Sequence, residues 1–175
     1  NKTLRTLTQG GAVAAAYVLL TLISALFGLD KGAVQLRLSE ALTILPCFFP
    51  AAVPGLFVGC LLANIITGAV LWDIVAGSLA TLVGAIGTRL LRKNRWLACL
   101  SPIVANIVII TPVLMFAYGL PGGFFLLGAG VGAGEVLSCG VLGQVLYSAL
   151  DKRRDRLDFL KYITPGPRAR QTGGT

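Results

Sequence analysis

Long apolar stretches with almost no charged residues run through most of this chain. One of them, from Gly10 to Leu29, contains no Asp, Glu, Lys or Arg. A helix needs about 20 apolar residues to cross the hydrocarbon core of a bilayer. Charged residues make up 13% of the chain, about half the fraction usual in soluble domains, which leaves too little polar surface to cover a water-soluble particle. We therefore predict an all-α integral membrane protein.

Breaks in the apolar pattern divide the chain into six predicted membrane helices and a tail. Pro46, Pro50 and Pro54 interrupt one stretch and make its first helix short, because proline lacks a backbone donor and clashes with the preceding turn. Residues 1–150 are predicted to form one membrane domain, and residues 151–175 a charged cytoplasmic tail that is partly disordered. The predicted helices cover about 6–28, 36–46 or 36–50, 51–67, 70–89, 97–118 and 124–150.

The positions of the cations predict the orientation. With six spans, every Lys and Arg except Lys31 and Arg37 falls on one side of the membrane. Short cytoplasmic loops are enriched in Lys and Arg, so both termini are predicted to lie in the cytoplasm of a multi-pass cell-membrane protein. Most of the cations that give the net charge of +8 lie in clusters at the predicted cytoplasmic ends of the spans. No basic face therefore remains to bind nucleic acid.

Catalytic and metal chemistry find little support in the sequence. The chain has no histidine, which excludes His-based zinc sites and Ser-His-Asp catalysis. Its cysteines are Cys47, Cys60, Cys99 and Cys139; none forms a C-x-x-C pair, and we interpret them as small buried hydrophobic residues. No catalytic residue, metal or cofactor is predicted.

A few polar residues nevertheless lie inside or beside the predicted spans, where they are costly and are candidates for function. They could simply pair with one another to fix helix packing. Their placement also suits a shared site opening outward for a small polar ligand. Trp72 lies at an outer span end, either as an interfacial anchor or stacking on a planar ligand. The candidate substrate-binding residues are Arg37, Glu40, Asn64, Trp72, Asp73, Asn106 and Glu135.

Three spacings support the shared site. Asn106 and Glu135 are nearly equidistant from the predicted turn at 119–123, which places them at similar depth in a helical hairpin. Asn64 and Asp73 lie on either side of a turn near residue 68. Arg37 is three residues before Glu40, a spacing that would place both on one helix face.

Small residues mark two candidate packing surfaces. The run of Gly and Ala at 128–134 lacks the preceding strand of a dinucleotide-binding loop, and we interpret it as a surface for close helix packing. Ala12 and Ala16 form a small-x-x-x-small pair in the first span. This pair either packs within the bundle or docks another membrane subunit.

Two segments resemble the QueT family of substrate-binding S components of energy-coupling factor (ECF) transporters. The first runs from Val34 to Pro46, with the sequence VQLRLSEALTILP; the second comprises 64–68 (NIITG) and 71–82 (LWDIVAGSLATL). The resemblance implies a six-helix bundle with cytoplasmic termini and a queuosine precursor, queuine or a related 7-deazaguanine, as cargo. It also implies a transmembrane coupling subunit as partner, docked through the Ala12 and Ala16 pair, and two ATPase subunits. Those subunits would use the ATP, since this chain has no phosphate-binding P-loop.

The polar residues fit such a cargo. A carboxylate of Glu135 or Glu40 would accept hydrogen bonds from the ring N–H and exocyclic amine of a deazaguanine, and Asn106 would complete that edge. Asp73 or Glu40 would meet the amine of a modified precursor. Three alternatives remain open: an S component for another vitamin-like compound, a membrane enzyme using one of these acids, and a structural subunit without a ligand.

Overall fold

The fold was analysed on a computed structural model, which describes residues 2–29 and 36–153. All elements in this part of the chain are helical, so the predicted all-α class is confirmed. A 3₁₀ helix covers Leu38–Cys47, and the π-helical segment Val136–Leu142 joins α5 to α6 in one continuous helix. The α-helices are α1 (Lys2–Leu26), α2 (Ala52–Ile66), α3 (Leu71–Leu90), α4 (Arg95–Phe116), α5 (Phe124–Glu135) and α6 (Gly143–Lys152).

Four helices are long and apolar enough to cross a bilayer: α1, α3, α4 and the continuous α5–α6 helix. The 3₁₀ helix has 10 residues and α2 has 15. At 1.5 Å per residue, α2 is about 22 Å long, short of a hydrocarbon core of about 30 Å. Length and composition in the described residues therefore support four spans by themselves, and the two remaining predicted spans correspond to these short helices.

The 3₁₀ helix runs antiparallel to α1, and α2 then runs parallel to α1. The backbone N–H of Leu38 donates to Ser24 Oγ at 2.9 Å, near the C-terminal end of α1. Thirteen residues further along, the carbonyl of Ala51 lies against Gly10. α2 then returns, and its Gly59 packs on Tyr17. The chain from 38 to 66 thus follows α1 in both directions.

The outside of the bundle is apolar, unlike the surface of a soluble protein. Large apolar side chains cover the outside of the bundle, whereas several acids, amides and hydroxyls are buried inside it. Lipid solvates apolar side chains, and polar groups must find partners within the protein. The exposed residues include Ile65, Leu79, Val83, Val104 and Val108, and the buried polar ones include Glu40, Asn64, Asp73, Asn106 and Glu135.

Glycines allow the tight turns and close contacts of this bundle. Gly68 and Gly119 adopt positive φ angles of 70° and 60° in the α2–α3 and α4–α5 turns, a conformation that favours glycine. A Cβ on Gly132 of α5 would lie 3.0 Å from Ile107 Cδ1 of α4. Gly128 and Gly132 of the run at 128–134 thus face α4.

The ends of the described chain lie together, since Arg5 and Leu150 line the same groove. α6 continues through Asp151 and Lys152, the first two residues of the predicted tail. Most of the predicted tail, residues 154–175, lies outside the described residues, as does Lys31.

Candidate functional site

Two buried acids and one buried amide meet in the interior of the bundle. Glu40, Asn106 and Glu135 are 2%, 5% and 7% exposed, respectively. The Asn106 side chain approaches both carboxyl groups. Asn106 in α4 and Glu135 in α5 meet because both helices leave the intervening turn and run antiparallel, as their spacing predicted.

Glu40 is held by α1 and by its own helix. Tyr17 Oη donates a hydrogen bond to Glu40 Oε1. The Glu40 backbone carbonyl accepts from Thr43 Oγ1 at 2.6 Å and from Cys139 Sγ at 3.4 Å. Glu40 Oε2 is buried and has no hydrogen-bond partner among the described residues. One carboxylate oxygen is therefore available to a ligand.

Tyr17 is a site residue that the sequence analysis missed. It belongs to a stripe with Thr21 and Ser24, all on the face of α1 that meets the 3₁₀ helix. Thr21 Oγ1 lies 2.8 Å from Ser39 Oγ, and Ser24 Oγ accepts from Leu38 N–H. Hydroxyls at 17, 21 and 24 follow helical spacing, and this pattern in an apolar span was the signal available in the sequence.

The π-helical segment begins directly after Glu135. Its Cys139 Sγ lies 3.2 Å from Glu135 Oε2, and the hydroxyl of its Ser138 is buried without a partner among the described residues. π-helical turns occur frequently at functional sites. Cys139 is buried and has no disulfide, as predicted, but its polar contacts make it more than a small hydrophobic residue.

A second cluster of polar residues centres on Asp73, at the end of the bundle that carries the α2–α3 and α4–α5 turns. Arg37 forms a salt bridge to Asp73 Oδ2 at 3.4 Å. Tyr118 Oη donates to the same oxygen at 3.3 Å, and Asn64 Nδ2 donates to the Asp73 backbone carbonyl at 3.4 Å. Asp73 thereby links the start of the 3₁₀ helix to the ends of α2 and α4.

Two sequence expectations need correction. Arg37 and Glu40 do not share a helix face, because Arg37 precedes the 3₁₀ helix in an extended conformation, with φ −106° and ψ 107°. Arg37 therefore reaches Asp73, whereas Glu40 turns to Tyr17. Trp72 is 69% exposed and lies on the outside of the bundle, so it does not join either polar group.

The cluster of polar residues around Glu40 and the cluster around Asp73 differ in charge. Arg37 and Asp73 compensate each other, but neither Glu40 nor Glu135 has a salt-bridge partner among the described residues. Burying an unpaired charge is costly, so the two carboxyl groups favour either a bound proton or a ligand that brings hydrogen-bond donors or a positive charge. One ligand atom each from Glu40, Glu135 and Cys139 lie within 4.8 Å of one another, a donor set that a metal ion could also use.

The predicted docking pair lines an apolar groove. Ala12 and Ala16 of α1 border a cavity of about 480 Å³ together with Leu45, Phe48 and Phe49. Ala15, on the same helix, is exposed but does not line the groove. The groove contains the two residues that the sequence analysis singled out for a partner subunit.

Comparison with known proteins gives the family. No curated protein and no solved structure matches the chain. The QueT transporter family matches residues 7–152, which include the whole helical bundle except the start of α1. The chain therefore belongs to the QueT transporter family of ECF S components and is a membrane transport protein.

Proposed function

We propose that this chain binds a queuosine precursor, queuine or a related 7-deazaguanine, from outside the cell and delivers it through an ECF importer. The observation that carries the proposal is the pair of neighbouring buried carboxyl groups, Glu40 and Glu135, that the Asn106 side chain approaches. Family membership supports transport as the function. The cluster supports a cargo that is rich in hydrogen-bond donors.

The chemistry of the cluster matches one edge of a deazaguanine. That edge presents a ring N–H and an exocyclic amine side by side, and a carboxylate can accept from both, as acids do for base edges. Glu135 or Glu40 would accept, and the Asn106 amide would complete the edge with its donor and acceptor. The carboxylate that does not bind the edge is then free for a second contact.

Glu40 is better placed than Asp73 to meet the amine of a modified precursor. Asp73 already accepts from Arg37 and Tyr118 on one oxygen. Glu40 keeps one buried oxygen without a partner among the described residues. A cationic amine there would also compensate a buried charge. The proposed arrangement is Glu135 with Asn106 on the base edge and Glu40 on the amine.

Titration calorimetry on the purified chain in lipid nanodiscs tests this cargo. Queuine and 7-aminomethyl-7-deazaguanine are the ligands; guanine, thiamine, riboflavin and biotin are the comparisons. Glu135→Gln and Glu40→Gln should weaken deazaguanine binding roughly 10- to 100-fold, since a hydrogen bond to a charged group contributes about 1.5–3 kcal/mol. The matched control Asp151→Asn changes an exposed acid at the opposite end of the bundle and should bind normally.

Two results would contradict the cargo. Binding of a vitamin in preference to every deazaguanine would favour an S component for that vitamin. An absence of binding by all six compounds would favour a structural subunit, in which the polar residues only hold helices together.

The proposed topology has six membrane crossings and cytoplasmic termini. The 3₁₀ helix and α2 would be the two short crossings, shielded from lipid in part by α1 and α3. Pro50, exposed between them, should then lie on the cytoplasmic side, and Gly123 on the outer side. A membrane-impermeant maleimide should label Gly123→Cys in intact cells and Pro50→Cys only after lysis. Labelling of Pro50→Cys from outside would exclude the two short crossings.

The apolar groove at Ala12 and Ala16 is the proposed docking surface for the transmembrane coupling subunit. Two ATPase subunits would supply the energy, and tipping of the loaded bundle would release cargo inward. Ala12→Leu and Ala16→Leu should abolish copurification with the coupling subunit while queuine binding stays intact. Ala15→Leu is the matched control outside the groove, and equal loss in all three variants would refute this surface.

A further inference from the structure

A second groove, at the end of the bundle where the two ends of the described chain meet, carries positive charge. It has a volume of about 750 Å³ and is lined by Arg95 at the start of α4 and by Lys152 and Arg153 at the end of α6. All three cations are exposed, and none of the described residues that line the groove is acidic. The nearest acid in sequence is Asp151, which lies beside two of the cations on the same helix end.

The walls of this groove are apolar below the cations. Trp96, Val145 and Ala149 line it and are exposed. The Arg95 guanidinium lies 5.3 Å from the ring centroid of Trp96. A Trp beside Arg is typical of the membrane–water interface, where a ring sits at head-group level. The groove therefore places a cationic rim over an apolar wall, which is the polarity of a phospholipid.

A buried amide in the groove adds a specific polar contact point. Gln144 is 8% exposed; its Nε2 donates to the Arg95 carbonyl at 3.0 Å. Its Oε1 is buried without a partner among the described residues. This acceptor without a hydrogen-bond partner lies beside three cations, and it suits a head group that carries both a phosphate and a hydroxyl donor.

We propose that this groove binds one anionic phospholipid such as phosphatidylglycerol. The phosphate lies against Arg95, Lys152 and Arg153, a head-group hydroxyl donates to Gln144 Oε1, and an acyl chain follows Val145 and Ala149. Basic pockets between membrane helices bind anionic head groups in this way. The site is separate from the polar cluster at Glu40 and goes beyond the transport function.

Fluorescence quenching by brominated lipids tests the proposal on the full chain. Trp72→Phe leaves Trp96 as the only tryptophan. Nanodiscs contain equal fractions of phosphatidylglycerol and phosphatidylcholine, with the bromine on one lipid or on the other. The ratio of quenching by the two lipids should be about three or more, whereas random mixing gives a ratio of one.

Charge variants at the same membrane end supply the control. The double variant Arg95→Gln with Arg153→Gln should bring the ratio close to one, because the loss of each cation should lower the affinity for the anionic lipid roughly fivefold. Arg92→Gln with Lys93→Gln removes the same charge outside the groove and should keep the wild-type ratio. The Trp72→Phe chain in 1 M salt, where the screening length is about 3 Å, should also approach one without any risk of misfolding. A ratio of one at low salt, insensitivity to salt, or equal loss in the two double variants overturns the proposal.

Discussion

The contact between α1 and α2 at Gly59 links the stability of the bundle to the position of a site residue. A Cβ added to Gly59 would lie 2.8 Å from Tyr17 Cβ and 3.0 Å from the Ala14 backbone. The shorter distance is at least about 0.7 Å below the optimum for two carbon atoms. Neither neighbour is the free end of a flexible side chain, so Gly59→Ala must push the two helices apart.

The expected cost follows from overpacking. Extra methyl groups in a well-packed core typically cost about 1–3 kcal/mol, which the higher helix propensity of alanine offsets by up to about 1 kcal/mol. A shift of Tyr17 would also weaken its hydrogen bond to Glu40. We therefore expect a lower melting temperature together with roughly fivefold weaker queuine binding, if one such bond loses about 1 kcal/mol.

Melting can be followed with a thiol-reactive dye, because Cys60, Cys99 and Cys139 are buried and free and react when the bundle opens. Gly11→Ala is the matched control: it lies in α1, and an added Cβ there has no neighbour within 4 Å. Gly59→Ala should melt several degrees below the wild-type chain, and Gly11→Ala at or above it. If both variants melted alike and bound queuine normally, the reasoning from the α1–α2 contact would be wrong.

Three further predictions concern the polar groups. Tyr17→Phe should cost about 1–3 kcal/mol of stability, because it removes the hydrogen-bond partner of a buried carboxylate. Tyr118→Phe should cost less, because Tyr118 is 44% exposed. Thermal melts that ranked the two variants in the opposite order would contradict this prediction. Asp73→Asn should weaken the contact with Arg37 at the start of the 3₁₀ helix. It should not lower queuine affinity more than about threefold, since Asp73 is assigned no ligand contact. If calorimetry showed a loss as large as that of Glu135→Gln, Asp73 would have to be a ligand-binding residue. Removal of metal ions with EDTA should leave queuine affinity unchanged, because the carboxyl groups are proposed to bind the ligand directly; a loss restored by a divalent ion would instead make the carboxyl–thiol cluster a metal site.

The class of the protein and most helix positions could be predicted from the sequence, because the relevant physics is local. The scarcity of charge excludes a water-soluble surface over the whole chain. The predicted helices at 70–89 and 97–118 differ from α3 and α4 by only one or two residues at each end, since apolar length and turn residues set both. The meeting of Asn106 and Glu135 was also predictable, because a hairpin fixes the relative depth of residues equidistant from its turn.

What the sequence could not determine depends on contacts between distant segments. The segment from Leu38 to Cys47 is 3₁₀-helical and buried against α1, and nothing in its own residues specifies that packing. Tyr17 becomes a site residue only because Glu40, 23 positions later, is packed against it. Arg37 turns to Asp73 rather than to a shared face with Glu40 because the helix starts one residue after it. Local composition decided that this chain enters the membrane, but the tertiary structure decided which buried acids remain uncompensated, since compensation depends on which side chains meet in space.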